Sequence, residues 1–378
     1  MKRIKDIYIW LVLIFTYFAT RLVNLKIIPI FTDEAIYARW AQIALNDPIN
    51  RFISLEDGKQ PLFIWAGAAF MKFVADPLVA IRLVSTAAGA GSVIGIFLLT
   101  REIFNKRVAY IASALYLILP FTLLYDRIAL YDSTLTALGI YSVYFLIRLA
   151  KNPKLDTAFL AGFAVGVGLL TKSSAYFYLF YIPFTLVFFD FSKYYKKRLG
   201  KWLLLAALIV LMSVFIFNLL RLSPLFYIIG RKNLEFIRPI GDVLNNPFTF
   251  AFSNLKSITR WLLAYLSVPF SLVLLFSVPL AIIKRQNKVV FLWILVLMPL
   301  TAEAIFNKVL YPRFALFYFP YVIILIAYTT SFIYDKLKNK IAYAALLLAA
   351  VAAPLYSSAA IIFSPTRAKI PYSDSNQL

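Results

Sequence analysis

The sequence contains neither cysteine nor histidine. Those two absences exclude disulfides, thiolate nucleophiles, haem and iron–sulfur ligation, and zinc sites built on sulfur or imidazole. Acid–base chemistry near neutral pH is left to Asp, Glu, Lys and Tyr. Acidic residues are scarce too, 17 against 39 Lys and Arg. Charged residues together make up 15% of the chain, where a soluble domain carries about 25%. What fills the sequence is apolar: 62% hydrophobic residues, 17% aromatics and a mean hydropathy of +0.81. Such a chain is an all-α polytopic membrane protein, its architecture set by the bilayer rather than by a water-excluding core.

A net charge of +22 would suggest nucleic acid as the partner of a soluble protein. Here the basic residues punctuate apolar runs, so membrane lipids with anionic headgroups and the positive-inside rule account for them, and no nucleic acid is expected. The start, Met1-Lys2-Arg3 followed by the apolar run Ile7 to Ala19, resembles a signal peptide. No small-x-small cleavage site follows, and it is read as an uncleaved first span.

Runs long enough to cross the hydrocarbon lie at 7–25, 79–99, 108–125, 133–149, 202–220, 259–283, 289–306, 314–333 and 341–362. The stretch 157–190 is too long for one span and is split at Thr171-Lys172-Ser173-Ser174 into 157–171 and 175–190, for about eleven transmembrane helices. Pro61 to Val74 is short for a span and is predicted to be interfacial or re-entrant. If it does not cross, six basic clusters share one side. They are the N-terminus, Arg101/Lys106/Arg107, Arg148/Lys151/Lys154, Lys193/Lys196/Lys197/Arg198/Lys201, Lys284/Arg285/Lys288 and Lys336/Lys338/Lys340. The rule makes that side cytoplasmic, with the N-terminus. The long first loop (26–78), the Asp126 to Asp132 turn, the Lys172 turn, the loop 221–258, the turn at Arg313 and the C-terminus are then extracytoplasmic. Of the 17 acidic residues only Asp6, Glu102, Asp156, Asp190 and Asp335 fall inside, so chemistry is expected on the outer face. The organisation expected is one transmembrane domain over 1–362, with 221–258 long enough to act as a lid and 363–378 an outer tail that reads as frayed or as the start of something longer.

Five outer motifs carry the candidate chemistry. In Phe31-Thr32-Asp33-Glu34-Ala35-Ile36-Tyr37-Ala38, Thr32 is expected to cap a helix with Asp33 and Glu34 in its first turn. Ile36, Trp40 and Ile43/Ala44 would give it an apolar face for the bilayer surface. Two acidic residues there simply offset the helix dipole, or Asp33 serves as a base, its pKa lifted by Glu34 and by desolvation. Lys59, in Glu56-Asp57-Gly58-Lys59-Gln60-Pro61-Leu62, either snorkels to headgroups or meets a lipid phosphate. Arg127 and Asp132 belong to a charged knot between apolar runs, where ionisable groups mark function or pairing. Lys172 and Arg313 are cations in short outer turns, suited to anchoring beside tyrosines or to binding an anion, for which Arg offers a bidentate fork.

Taken in order, Asp33-Glu34-Ala35-Ile36-Tyr37-Ala38, Lys59-Gln60-Pro61-Leu62 with Trp65, Arg127 to Asp132, Leu170-Thr171-Lys172 and Tyr311-Pro312-Arg313-Phe314 resemble the GT-C superfamily of membrane glycosyltransferases. The branch is that of protein O-mannosyltransferases and the lipid A aminoarabinose transferase. The resemblance spans most of residues 1–330 and implies a GT-C type fold with juxtamembrane helices in the first outer loop. It implies a polyprenyl-phosphate-linked sugar as donor and an acceptor hydroxyl on a glycolipid, glycan or protein, with inverting transfer outside the membrane. On that analogy Asp33 is the base and Glu34 its partner. Lys59, Arg127, Lys172 and Arg313 face the donor phosphate, and Asp132 helps hold a divalent metal with oxygen ligands, otherwise none. The sequence departs from the family at Gln60, where a second proline is frequent, and at Gly58, where some members carry an acid.

A transporter or flippase for an anionic or lipid-linked substrate is the alternative, since it too uses many spans and buried cations. It would place its charges deep within spans, whereas Arg127, Asp132, Lys172 and Arg313 fall at predicted span ends. A purely structural scaffold gives these outer charges no work.

Overall fold

The structure is a computed structural model that describes residues 2–192 and 194–367. Lys193 of the predicted cytoplasmic cluster and residues 368–378 of the predicted tail lie outside the described residues. The described residues form sixteen α-helices: α1 Lys2–Leu22, α2 Thr32–Asn46, α3 Leu62–Met71, α4 Pro77–Ile103, α5 Lys106–Ile118, α6 Pro120–Tyr125, α7 Tyr131–Lys151 and α8 Leu155–Leu169. The remainder are α9 Tyr176–Phe180, α10 Tyr195–Asn218, α11 Ile228–Phe236, α12 Ile240–Asn245, α13 Ala251–Ile283, α14 Asn287–Phe306, α15 Phe319–Lys336 and α16 Lys340–Phe363. Among the described residues no strand occurs, only the isolated bridge between Ile237 and Asn307.

Among the described residues, six helical segments are long and apolar enough to cross a bilayer: Pro77–Ile103, Tyr131–Lys151, Tyr195–Leu222, Ala251–Ile283, Asn287–Phe306 and Lys340–Phe363. The chain is an integral membrane protein. Several of the other predicted spans are real apolar segments that proline interrupts, because proline donates no backbone N–H and crowds the preceding turn. The run 108–125 breaks into α5 and α6 at Leu119-Pro120; 175–190 becomes α9 and the 3₁₀ turn Pro183–Phe188; 314–333 opens as the 3₁₀ turn Pro312–Phe317 before α15. Within α13, Ser267 has φ 69° and Pro269 follows, so the helix kinks there. Helix α3 has ten residues, roughly 15 Å at 1.5 Å per residue, about half the hydrocarbon thickness.

Local sequence explains the helix starts. Asp76 accepts hydrogen bonds from the amides of Leu78 and Val79 with Pro77 in the first turn, and Asn105 accepts from Val108. At α2 the expected cap is displaced by one residue. Thr32 is the first helical residue, Phe31 occupies the cap position, and Glu34 reaches back to accept from the Phe31 amide at 3.0 Å. Tyr37, Ala41 and Ala44 form the buried face of α2 against α3 and α4, and Ile36 stays exposed. Ala44, assigned by spacing to the bilayer face, therefore belongs to the core. Helix α4 packs on α5 and α7, α8 on α10, and α13 to α15 against one another. Their shared apolar core runs from Leu13 of α1 to Ile362 of α16.

Candidate functional site

A cavity of about 460 Å³ opens where the ends of α2, α3, α7, α8, α11 and α14 converge. Gly58 shapes one edge: it adopts φ 64°, and a Cβ there would press on Ile228 O and Lys232. Only glycine serves at that point, which explains why no acid stands before Lys59. Next to it Gln60 donates to Ser173 Oγ at 2.8 Å, and the Leu62 amide donates to Leu170 O at 3.1 Å, so the start of α3 is sewn to the end of α8.

Three of the predicted cations line the cavity. Lys59 donates to Tyr37 Oη at 3.0 Å and lies 3.8 Å from Asp33 and 3.6 Å from Asp57. Lys172 pairs with Asp132 at 2.7 Å and sits 4.3 Å from the Phe314 ring centre. Arg313 donates to Asp33 Oδ2 at 2.8 Å, with Phe31 and Tyr311 against its guanidinium. Asp33 stands directly behind Lys59, Tyr37 and Arg313 and is mostly buried, with 17% of its side chain exposed. Burial pushes its carboxyl pKa up, but the ammonium of Lys59 and the guanidinium of Arg313 more than offset that and hold it below the usual 3.8. The lifted pKa expected from Glu34 is therefore corrected: successive helical residues point about 100° apart, and Glu34 faces away into the core. Burial pulls Lys59 below its ordinary value, with Asp33 and Asp57 opposing.

Glu34 and Arg127 are not brought to the cavity. Both oxygens of Glu34 are taken up by Arg82, at 2.8 and 2.7 Å, and Oε1 also accepts from the Ala129 amide at 2.7 Å. Arg127 donates to the carbonyls of Thr20, Arg21, Val23 and Asn24, closing the C-terminal end of α1. Carbonyl oxygens at a helix end carry the negative pole of its dipole, so a guanidinium is held there without any ligand. Arg21 is buried beside Asp126 at 3.5 Å and donates to Leu117 O and Tyr116 O.

The loop 221–258, whose charges include Lys232 and Arg238, reaches the cavity, while Glu303 and Arg82 went unremarked in the sequence. Lys232 of α11 pairs with Asp57 at 2.8 Å, and with Asn233, Phe236 and Ile237 it brings the loop 221–258 onto the cavity. That loop is tied to the end of α14 by Arg238 N to Phe306 O and Lys308 N to Phe236 O, both 2.8 Å. Glu303 of α14 is 8% exposed, lines the cavity and accepts from Tyr318 Oη at 3.0 Å. The signal for Glu303 and Arg82 was available: each is a single charge within an apolar span, an expensive placement that needs a partner or a purpose.

The carboxylates do not assemble a metal site. Among the described residues no group of three or more Asp or Glu converges. Asp132 is committed to Lys172, Asp33 to Arg313 and Lys59, and Asp57 to Lys232 and Lys59. With an ammonium in place of a cation's oxygen ligands, the set does not fit a divalent ion.

Residues 58–217 match the family of dolichyl-phosphate-mannose-protein mannosyltransferases. No curated protein is similar in sequence at significance. Among solved structures, the oligosaccharyltransferase of Archaeoglobus fulgidus in complex with Zn and sulfate is 15% identical with a TM-score of 0.63, covering 98% of this chain and 54% of that one. The AglB oligosaccharyltransferase of the same organism, with an inhibitory peptide and a dolichol-phosphate, is 14% identical with a TM-score of 0.62, covering 100% and 57%. ArnT from Cupriavidus metallidurans bound to undecaprenyl phosphate is 16% identical with a TM-score of 0.58, covering 96% and 65%. The chain thus spans between 54% and 65% of the length of these solved chains. The chain shares its fold with these solved structures.

Proposed function

We propose that the protein is an inverting glycosyltransferase that moves a sugar from a polyprenyl-phosphate-linked donor to an acceptor hydroxyl on the extracytoplasmic face. The observation that carries this reading is one cavity lined by Lys59, Lys172 and Arg313, with the carboxylate of Asp33 directly behind Lys59 and Arg313. The match to the mannosyltransferase family supports it, as do the polyprenyl phosphates named with AglB and ArnT.

The chemistry is a single displacement. The acceptor oxygen attacks the anomeric carbon, the bond from that carbon to the phosphate oxygen breaks, and polyprenyl phosphate leaves with the electron pair. The acceptor proton passes to Asp33. A phosphate leaving group needs no general acid when cations offset the charge it gains, and those cations act more strongly in a site shielded from water. Lys172 and Arg313 are the phosphate ligands in this reading, with Lys59 between phosphate and base. Arg127 has a different role, holding the end of α1, and Glu34 is an anchor that fixes the first turn of α2 so that Asp33 faces the cavity.

Without donor, each of these cations is matched by a carboxylate. A phosphate that draws Arg313 and Lys59 towards itself removes the two influences that hold Asp33 low. Burial then dominates, and Asp33 becomes a stronger base when the donor is in place. Asp33→Asn is expected to abolish transfer from a radiolabelled undecaprenyl-phosphate sugar panel while the variant elutes and unfolds like the parent. Near-normal transfer by a folded Asp33→Asn protein would overturn the assignment of the base.

A further inference from the structure

We propose that Glu303 is the sugar-recognition group of this cavity, accepting a hydrogen bond from a ring hydroxyl of the donor while the cations hold its phosphate. The proposal rests on the donor reading above and adds the subsite for the sugar. Glu303 lies near the C-terminal end of α14, buried at 8% exposure, yet it lines the cavity alongside Ala302, Phe306 and Asn307. One carboxyl oxygen, Oε2, accepts from Tyr318 Oη at 3.0 Å. Among the described residues the other oxygen has no hydrogen-bond donor, and no Lys or Arg lies within ion-pair distance of the carboxyl group.

That isolation distinguishes it from the acids in and behind the cavity. Asp33, Asp57 and Asp132 each have a cation within 4 Å. An acidic side chain held by one tyrosine inside an apolar helix is costly, and such residues are kept for partners that arrive later. A lipid-phosphate sugar brings two chemistries into one cavity, an anion and a ring of hydroxyls. The anion takes the cations, and Glu303 is a cavity acid with an unengaged acceptor oxygen and, among the described residues, no cation within ion-pair distance. Tyr318 fixes the carboxyl group, so the oxygen that remains is aimed without loss of side-chain freedom on binding. In either protonation state that group offers an acceptor to a hydroxyl.

The test uses the purified full chain in nanodiscs and three ligand classes: undecaprenyl phosphate without sugar, undecaprenyl-phosphate sugars of neutral hexoses and pentoses, and their single-deoxy analogues. The wild-type protein is expected to bind a neutral sugar donor more tightly than the bare lipid phosphate. Glu303→Gln should lower affinity for that donor about tenfold, the upper end of what one hydrogen bond contributes, and leave affinity for bare undecaprenyl phosphate unchanged. One deoxy analogue should lose the same factor on the wild type and nothing further on Glu303→Gln. Tyr318→Phe, which frees the carboxyl group to rotate, should give a smaller loss of the same kind, and it stands in if Glu303→Gln does not fold. Equal losses for the bare and sugar-bearing lipids, or an unchanged sugar increment in both variants, would overturn the assignment of Glu303 alone. Failure of the wild type to bind undecaprenyl phosphate at all would overturn the donor reading and this one with it.

Discussion

The ion pair between Glu34 and Arg82 gives the most quantitative handle on this protein. Both side chains are fully buried. Arg82 donates Nε to Glu34 Oε1 at 2.8 Å and Nη2 to Oε2 at 2.7 Å, and it also reaches Leu25 O at 2.7 Å and Ile28 O at 3.0 Å. Replacing Arg82 with Met leaves a buried carboxylate with only the amides of Phe31 and Ala129 and strips the carbonyls of Leu25, Ile28 and Pro29 of a donor. Breaking such a pair from one side costs about 3–5 kcal/mol. Glu34→Gln should cost a similar amount, because one amide nitrogen is forced against Arg82 or a backbone N–H. The double variant removes both charges, so its loss should fall short of the sum of the two by about 1–3 kcal/mol. Unfolding of detergent-solubilised protein by titrated SDS measures all three. A loss under about 1 kcal/mol for Arg82→Met, or simple additivity in the double variant, would refute this account of the pair. The same proteins test the role of Glu34: folded Glu34→Gln should keep its turnover number within about threefold, whereas loss of a general base typically costs 10²-fold or more.

The pH dependence of transfer should differ between free and loaded enzyme. With Asp33 held below 3.8 by Arg313 and Lys59, the acid limb of kcat/KM should lie below that pH, while the acid limb of kcat moves upward once phosphate draws the cations away; coincident limbs would refute the coupling. Between the folded value and 3.8 the unfolded chain binds the Asp33 proton more tightly. The stability Asp33 contributes is therefore present above its unfolded pKa and lost as pH falls through its folded pKa, and Asp33→Asn should abolish that dependence in a denaturation series. Arg127→Met, which forfeits donors to four carbonyls, should lower stability by about 2 kcal/mol or more with unchanged KM for the donor; a raised KM would return Arg127 to the phosphate. Gly89→Ala should destabilise by about 1–3 kcal/mol, since its methyl would collide with the Asp126 carboxylate and Tyr17 hydroxyl; melting curves read this directly.

Composition and periodicity were enough to establish a helical membrane protein, because a bilayer accepts few architectures and each needs long apolar runs. The number of unbroken helices was not legible, since a hydropathy window does not register how Pro120, Pro183 and Pro312 interrupt an apolar run. The candidate residues were legible as types: Lys59, Lys172, Arg313, Asp33 and Asp132 are charged groups in apolar surroundings, and the structure gathers them around one cavity. Their partners were not. Asp33 and Glu34 are neighbours in sequence and look alike, yet the helix turns one towards Arg313 and the other towards Arg82, which is 48 residues away along the chain. Arg127 reads like a phosphate ligand until the end of α1 is found beneath it. Charge type and membrane depth are properties of the chain. Which cation meets which carboxylate, and whether a charge faces a cavity or a helix end, depends on long-range packing that local sequence does not encode.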